Sequence, residues 1–476
     1  MKVFTVLMVF VLLVVHASAT VHYVDLNCTN PLPPYADWGT AATNIQSAIN
    51  TAVAGDMILV TNGVYQTGVS FSSPGSNRVT VAKAVLVKSV NGPQFTSIKG
   101  FAGSGFGKTN RIRCVFLTNG ASLSGFTLTS GSTSGNGGGV YCWSSNAVVS
   151  NCIVTSGFAD GYGGGSYGGS FVNCYFTANW AHIFGGASYG GAFTNCVFWN
   201  NSVDSSGGAT YNAVILVNCT VVGNHAGFTD FTGGGGTTPG YGGGVDAGTG
   251  TILKNCIVYD NYIINAVPDG SSNIMSGSFV YNCCIAPTNN SAGTNIARPP
   301  AFVNSAGGNF RLQTNSPCIN AGNNGFIPGI GTDTDGRARF TGGTVDIGAF
   351  EFQSANLGEF TGWLYQYKLP TDGSADFIDS DSDGINNWQE WKAGTIPTNA
   401  ASLLKMSSPS NSVSGVTVKW QSVAGVNYYL QRSTNLSAQP AFSSIQSNIV
   451  GQAGSTSYMD TTATSGGPYF YRVGVQ

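Results

Sequence analysis

Six Asn-Cys steps between Asn151 and Cys283 constrain this chain more than any other feature. They read Val149-Ser-Asn-Cys-Ile-Val154, Phe171-Val-Asn-Cys-Tyr-Phe176, Phe193-Thr-Asn-Cys-Val-Phe198, Leu216-Val-Asn-Cys-Thr-Val221, Leu253-Lys-Asn-Cys-Ile-Val258 and, less cleanly, Val280-Tyr-Asn-Cys-Cys-Ile285. Cys152, Cys174 and Cys196 are 22 residues apart, Cys219 follows after 23, and the next gaps are 37 and 27. Such a period marks a stacked repeat, whose units bury their inner faces only against their neighbours.

The columns of the repeat describe one coil. In the first five copies the position three before Cys is apolar (Val149, Phe171, Phe193, Leu216, Leu253), and so is the position two after it (Val154, Phe176, Phe198, Val221, Val258). Strict strand alternation would not place both inside. A bend at Asn resolves this, because Asn tolerates the left-handed backbone of a tight corner. Stacked coils then stack the asparagines, whose amides bond along the column. A second column reads Gly137-Gly-Gly-Val-Tyr141, Gly163-Gly-Gly-Ser-Tyr167, Gly185-Gly-Ala-Ser-Tyr189, Gly207-Gly-Ala-Thr-Tyr211 and Gly242-Gly-Gly-Val-Asp246. A third places Asn179, Asn201, Asn224 and Asn261 five residues after Cys. Three short strands and three corners per repeat predict an all-β chain, a right-handed parallel β-helix.

Gly-Gly-Ala followed by Phe-x-x-Asn (Phe176 to Asn179, Phe198 to Asn201) resembles the repeat of polymorphic outer-membrane and β-helix surface proteins of bacteria. Residues 20–352 as a whole resemble the secreted parallel β-helix proteins of the pectate-lyase-like superfamily. That resemblance speaks to fold; its members include lyases, hydrolases, adhesins and binding proteins.

Residues 1–19 read as an export signal: Lys2, an apolar run from Val3 to Val15, and a small-residue site at Ala17-Ser-Ala19. That run is too short to span a bilayer, and no later stretch is long enough. A secreted or surface-held protein is therefore expected, with no transmembrane segment in the mature chain; the oligomeric state is left open, with a monomer preferred. Charged residues are only 8% of the chain and the net charge is −2, with no Arg between Arg113 and Arg298, so nothing tracks phosphates and no nucleic-acid partner is expected. Residues 20–56 form an N-terminal cap, with a helix from Thr43 to Ala54 capped by Thr43 and closed by Gly55. It would cover strand edges at the open end of the solenoid. Leu123-Ser-Gly-Phe126 reads as the same corner with Phe in place of Cys. The loop at 225–241 either carries function or is a tolerated insertion.

Residues 316–352 resemble a closing module of bacterial β-helix proteins; Asp333, Asp335, Arg337 and Asp346 there suit turns and charge pairs. After a linker (353–375), residues 376–400 carry the sharpest chemical signal. Asp379, Asp381, Asp383, Ile385, Asn387 and Glu390 stand at positions 1, 3, 5, 7, 9 and 12 of a loop with Gly384 at position 6. That is EF-hand-type spacing, with six oxygens for one Ca2+. It resembles short calcium-binding repeats between domains of secreted bacterial proteins, and an acidic linker without metal is the bland reading. In residues 402–476, Trp420, then Tyr428-Tyr-Leu-Gln-Arg432 and Tyr469-Phe-Tyr-Arg-Val473, resemble a small fibronectin-III-like β-sandwich.

Eleven cysteines in an exported chain suggest disulfides. The six in the stacked column run parallel and suit reduced core residues better. Cys28, Cys114, Cys142, Cys284 and Cys318 are the bridge candidates. The Tyr column ends in Asp246, and a carboxylate is disfavoured in a core. Tyr141, Tyr167, Tyr189 and Tyr211 should therefore form an outward strip, either a platform for sugar or a stabilising ladder. Candidate acids and bases between Phe116 and Ile285 are Asp160, His182, Asp204, His225, Asp230, Asp246, Lys254, Asp260 and Asp269. Asp246 and Lys254, from one coil, are the catalytic candidates if the chain is a polysaccharide lyase or glycoside hydrolase. The preferred expectation is a surface protein binding extracellular polysaccharide or a cell-surface component; a purely structural or adhesive filament is a third reading.

Overall fold

The computed structural model describes residues 19–475, except 73–74, 104–109, 228–239, 249, 265–271, 276, 287–293, 314, 328, 340–343, 354–356, 371–374, 376–377, 437–441 and 465–466. Residues 1–18 of the expected export signal (1–19), most of the expected loop at 225–241, Asp230 and Asp269 thus lie outside the described residues. The chain divides into two compact units, Met1–Lys254 with Val258–Val280, and Asn255–Ile257 with Tyr281–Gln476.

The first unit is a parallel β-helix. Its strands stack into four walls, one more than the repeat predicted. Wall A includes Val21–Val24, Val148–Ser150, Ser170–Val172, Ala192–Thr194 and Ile252–Lys254. Wall B includes Ile153–Thr155, Tyr175–Thr177, Val197–Trp199 and Thr220–Val222. Wall C holds two-residue strands: Ser132–Thr133, Phe158–Ala159, Trp180–Ala181, Ser202–Val203, His225–Ala226 and Tyr262–Ile263. Wall D includes Arg113–Leu117, Val140–Cys142, Ser166–Tyr167, Ser188–Tyr189, Thr210–Tyr211 and Val245–Asp246. Strands of the repeating coils pair in parallel, as Phe171↔Phe193, Phe176↔Phe198, Trp180↔Ser202 and Tyr167↔Tyr189 illustrate.

The corner between walls A and B is made as expected. Asn151, Asn173, Asn195 and Asn218 all take φ of 50–53°, and Gly125, at 82°, does the same in the coil with Phe126. The turn brings both flanking apolar positions inward, so Phe171 stacks on Phe193 at 5.2 Å and Phe176 on Phe198 at 4.9 Å. Corner amides link at 3.1–3.4 Å. The third Asn column makes the tighter ladder: Asn179, Asn201 and Asn224 each donate from Nδ2 to the next Asn Oδ1 at 2.9 Å, ending at Asn261, which donates to Asn273 at 3.0 Å. The same oxygens accept the backbone N–H groups of Asn179, Asn201, Asn224 and Asn261. These buried amides therefore satisfy a turn that lacks a regular ladder.

The paired glycines follow from wall C. A Cβ on Gly164 would lie 2.2 Å from Trp180 O, and one on Gly186 2.3 Å from Ser202 O. The two-residue strands pass so near that only glycine fits. All eleven cysteines are free thiols, which corrects the bridge expectation for Cys28, Cys114, Cys142, Cys284 and Cys318. In the column, Cys174, Cys196 and Cys219 are buried and donate to the carbonyls of Val172, Thr194 and Val217 at 3.3 Å. They act as small core residues.

The cap helix is shorter than expected, Ile45–Thr51, and Asn44 rather than Thr43 caps it, accepting from Ser47 N. Its Gln46 side chain bonds both backbone groups of Thr80, at 2.8 and 3.1 Å, satisfying an exposed strand edge. Lys83 donates to the carbonyls of Ile49, Asn50 and Ala52, closing the helix C-terminus.

In the second unit, two three-stranded antiparallel sheets form the C-terminal module: Ser410–Ser412, Gly415–Ser422 and Gly454–Asp460, and Asn427–Ser433, Ser443–Val450 and Phe470–Val475. Trp420, Tyr428, Val418 and Leu430 fill its core.

Candidate functional site

Wall D carries the tyrosines outward, half-buried, while Ser166, Ser188 and Thr210 beside them are fully buried. Ser166 donates to Ser188 at 2.7 Å inside the coil. The rings of Tyr141, Tyr167, Tyr189 and Tyr211 stack successively at 4.9, 5.3 and 5.5 Å, with planes within 16° of parallel. A second, unforeseen column interleaves with them: Tyr162 stacks on Tyr189 at 4.8 Å and Phe184 on Tyr211 at 4.3 Å. Its signal was available, since residues 162 and 184 each stand immediately before a glycine pair. Because each ring covers the next, the faces are used within the ladder. Edges and phenol hydroxyls are what remain for a ligand. Burial raises the pKa of all four phenols.

Asp246 heads this column, opposite Tyr211, but it is only 5% exposed. The expectation that this position avoids the core is corrected here. Its Oδ1 accepts from Gly248 N at 3.0 Å, and burial pushes its pKa up despite that bond. Lys254 stands on wall A, opposite Val217. The two catalytic candidates thus occupy different walls of their coil.

Wall C brings together residues that the sequence offered only as scattered candidates. His182 Nδ1 lies 2.7 Å from Asp204 Oδ2, and Trp180 Nε1 donates to Asp204 Oδ1 at 2.9 Å. Burial raises the Asp204 pKa, against the opposing bonds from His182 and Trp180. His225 is pushed down by burial, with Asp204 opposing, and its Nδ1 is buried without a hydrogen-bond partner. Phe158 stacks on Trp180 at 4.7 Å and His225 on Tyr262 at 5.0 Å. Arg111 covers Phe158 at 4.8 Å and pairs with Asp160 at 2.6 Å.

In the second unit, carboxylate oxygens of Asp379, Asp381 and Asp383 lie within 4.8 Å of one another. Asp379 accepts from Ser382, Asp383 and Gly384 N–H groups, and Gly384 sits at φ 93°, which winds the loop tightly. Asp381 Oδ2, Asp383 Oδ2, Asn387 Oδ1 and Glu390 Oε2 are buried without a hydrogen-bond partner. The Asn387 amide donates instead to Ala375 O and Ser380 Oγ, leaving that oxygen open. Burial, and then the neighbouring Asp381, pushes the Glu390 carboxyl up to about 7. Four orphaned oxygens in one acidic loop form a donor set that fits a hard cation. Ile385 stands at the position where such loops offer a backbone carbonyl.

The closing residues serve structure. Asp333 accepts from Asp335, Arg337 and Glu351 N–H groups, and Asp346 from Asn320 and Phe352. Arg339 is fully buried and donates to Asp346 O and Gly348 O. Burial pushes Asp333 and Asp346 up to about 6.

No family model matches this chain, and no curated protein matches it. Among solved structures it is similar to pectate lyase Pel9A at 15% identity, with a TM-score of 0.44, over 70% of this chain and 97% of that one. It is similar to a rhamnogalacturonan lyase at 14% identity and a TM-score of 0.36, over 56% and 74%. A pectin methylesterase from carrot follows at 12% identity and 0.33, over 59% and 86%.

Proposed function

We propose that this is an exported β-helix protein that binds extracellular polysaccharide along its coil faces. The observation that carries this reading is the run of half-buried phenols on wall D, one per coil at 4.9–5.5 Å. Tyr141, Tyr167, Tyr189 and Tyr211 would present a regular row of hydroxyl-bearing edges to a chain of hydroxyl-rich units. In this reading their stacking fixes the row in advance, so little side-chain entropy is lost on binding. Hydrolysis or elimination has less support, because Asp246 is buried and Lys254 stands on another wall.

The loop from Asp379 to Glu390 is assigned to Ca2+, held by Asp379, Asp381, Asp383, Asn387, Glu390 and the Ile385 carbonyl. Its role is structural, as a rigid junction ahead of a fibronectin-III-like attachment module. Chelation should lower the melting temperature of the full chain, and Glu390→Gln should remove that response. An identical melting temperature with calcium and with chelator would contradict the assignment.

The functional test mixes the mature protein, with calcium, with a panel of neutral and acidic polysaccharides. It records bound protein and new reducing ends. Binding without cleavage, weakened by Tyr189→Ala, is expected. Reducing ends that disappear on Asp246→Asn would make the protein an enzyme instead, and no binding to any member would leave a structural filament.

A further inference from the structure

Wall C is an aromatic ladder with a rung missing. Its outward positions run Phe158, Trp180, Ser202, His225, Tyr262 in register. Phe158 and Trp180 stack as one pair, His225 and Tyr262 as another, and Ser202 stands between the pairs. Neighbouring strands are about 4.8 Å apart, so Trp180 and His225, two coils apart, leave roughly 9.6 Å between them. The rungs that are present take 4.7 and 5.0 Å each. One more ring therefore fits at the Ser202 level, with one face on Trp180 and the other on His225. Trp180, Ser202 and His225 are all part-exposed, so the level opens outward.

The groups around this level are polar in a specific way. Asp204 follows Ser202 by two residues and holds the Trp180 indole N–H and the His182 ring. His225 Nδ1 is buried and unpartnered. The missing rung is thus bounded by two ring faces, with the Asp204 carboxylate, from the same coil as Ser202, at the Trp180 edge. A phenyl ring would satisfy the faces but offer that carboxylate no donor. A ring carrying hydroxyls around its edge satisfies both.

We infer that the Ser202 level of wall C is a binding subsite for one neutral pyranose ring, entering edge-on as the end or a side branch of a glycan. Edge-on entry follows from the stacking direction: the faces are held along the solenoid, so only the ring edge meets solvent. An internal unit would carry chain on both sides and could not enter. A uronate is disfavoured, because Asp204 is the carboxylate facing the site. This rests on the polysaccharide reading above and specifies where one sugar unit is gripped.

The test uses the full chain and short neutral oligosaccharides beside uronate oligosaccharides of equal length, with affinity read by calorimetry. Ser202→Phe supplies the missing rung from within and should keep or raise the melting temperature, so loss of folding does not confuse the result. The variant should bind neutral oligosaccharides about tenfold or more weakly, and the wild type should prefer them to uronates. Ser202→Phe binding as tightly as wild type overturns the subsite, and so does a preference for uronates. Loss of polysaccharide binding on Tyr189→Ala with Ser202→Phe unaffected overturns the subsite alone. A wild type that binds no sugar overturns both readings.

Discussion

Walls C and D stack aromatic rings along the same solenoid, but one column is continuous and the other is broken. On wall D every coil from Tyr141 to Tyr211 supplies a ring, and Tyr162 and Phe184 fill in beside them. On wall C the column stops at Trp180 and resumes at His225. A ring face spent on a neighbouring ring stabilises the stack and is lost to a ligand. A face left open costs stability and keeps recognition. The broken wall is also the one that gathers Asp204, His182 and an unpartnered His225 nitrogen.

Both walls hang on the buried asparagine ladder, so breaking it should remove the contrast altogether. Asn201→Ala orphans the N–H of Asn179 and the carbonyl of Phe176. At about 1–3 kcal/mol for each unsatisfied buried group, the loss should be roughly 3–5 kcal/mol in urea unfolding. A next, smaller effect is expected from Tyr189→Ser, which copies the wall C gap onto wall D. It removes contacts with Tyr162, Tyr167 and Tyr211, each worth about 0.5–1.5 kcal/mol, so a drop of about 2–4 kcal/mol is expected. The reverse change, Ser202→Phe, should gain about 1–2 kcal/mol from two new stacked pairs. Equal effects of the same sign in these two variants would erase the distinction between the walls.

The smallest effect concerns the end of wall D. The Asp246 carboxyl titrates above its ordinary value of 3.8 in the folded chain. As pH rises past 3.8, the unfolded chain ionises first and the folded state loses relative stability until Asp246 itself ionises. Asp246→Asn should therefore be more stable than wild type near neutral pH, with the gap closing in acid below 3.8. A gap of constant size across the titration would show that Asp246 does not carry this penalty.

How much of this was legible in the residues varies with the length of each strand. The Asn-Cys period announced the coil, and φ of 50–53° at Asn151, Asn173, Asn195 and Asn218 matches the corner inferred from two inward columns of mismatched parity. Wall C escaped because a two-residue strand shows no alternation. Its positions 158, 180 and 202 do keep the 22-residue period, but Phe, Trp and Ser share no property that marks a column. The glycine pairs were visible and their cause was not, since it is the approach of a wall C carbonyl. Asp246 misled because a carboxylate was assumed to face water, whereas burial with the Gly248 N–H accommodates it. The spacing of Asp379, Asp381 and Asp383 was readable because the loop is local, and the structure brings their carboxylate oxygens within 4.8 Å of one another.

The central claim is that the open ring faces of wall C grip a sugar that the closed faces of wall D cannot. The direct measurement is a crystal structure of the protein soaked with a short neutral oligosaccharide. The account predicts density for one pyranose ring at the Ser202 level, parallel to Trp180 and His225 and within hydrogen-bond reach of Asp204. Sugar density lying on other surfaces, with the Ser202 level filled only by water, would contradict it.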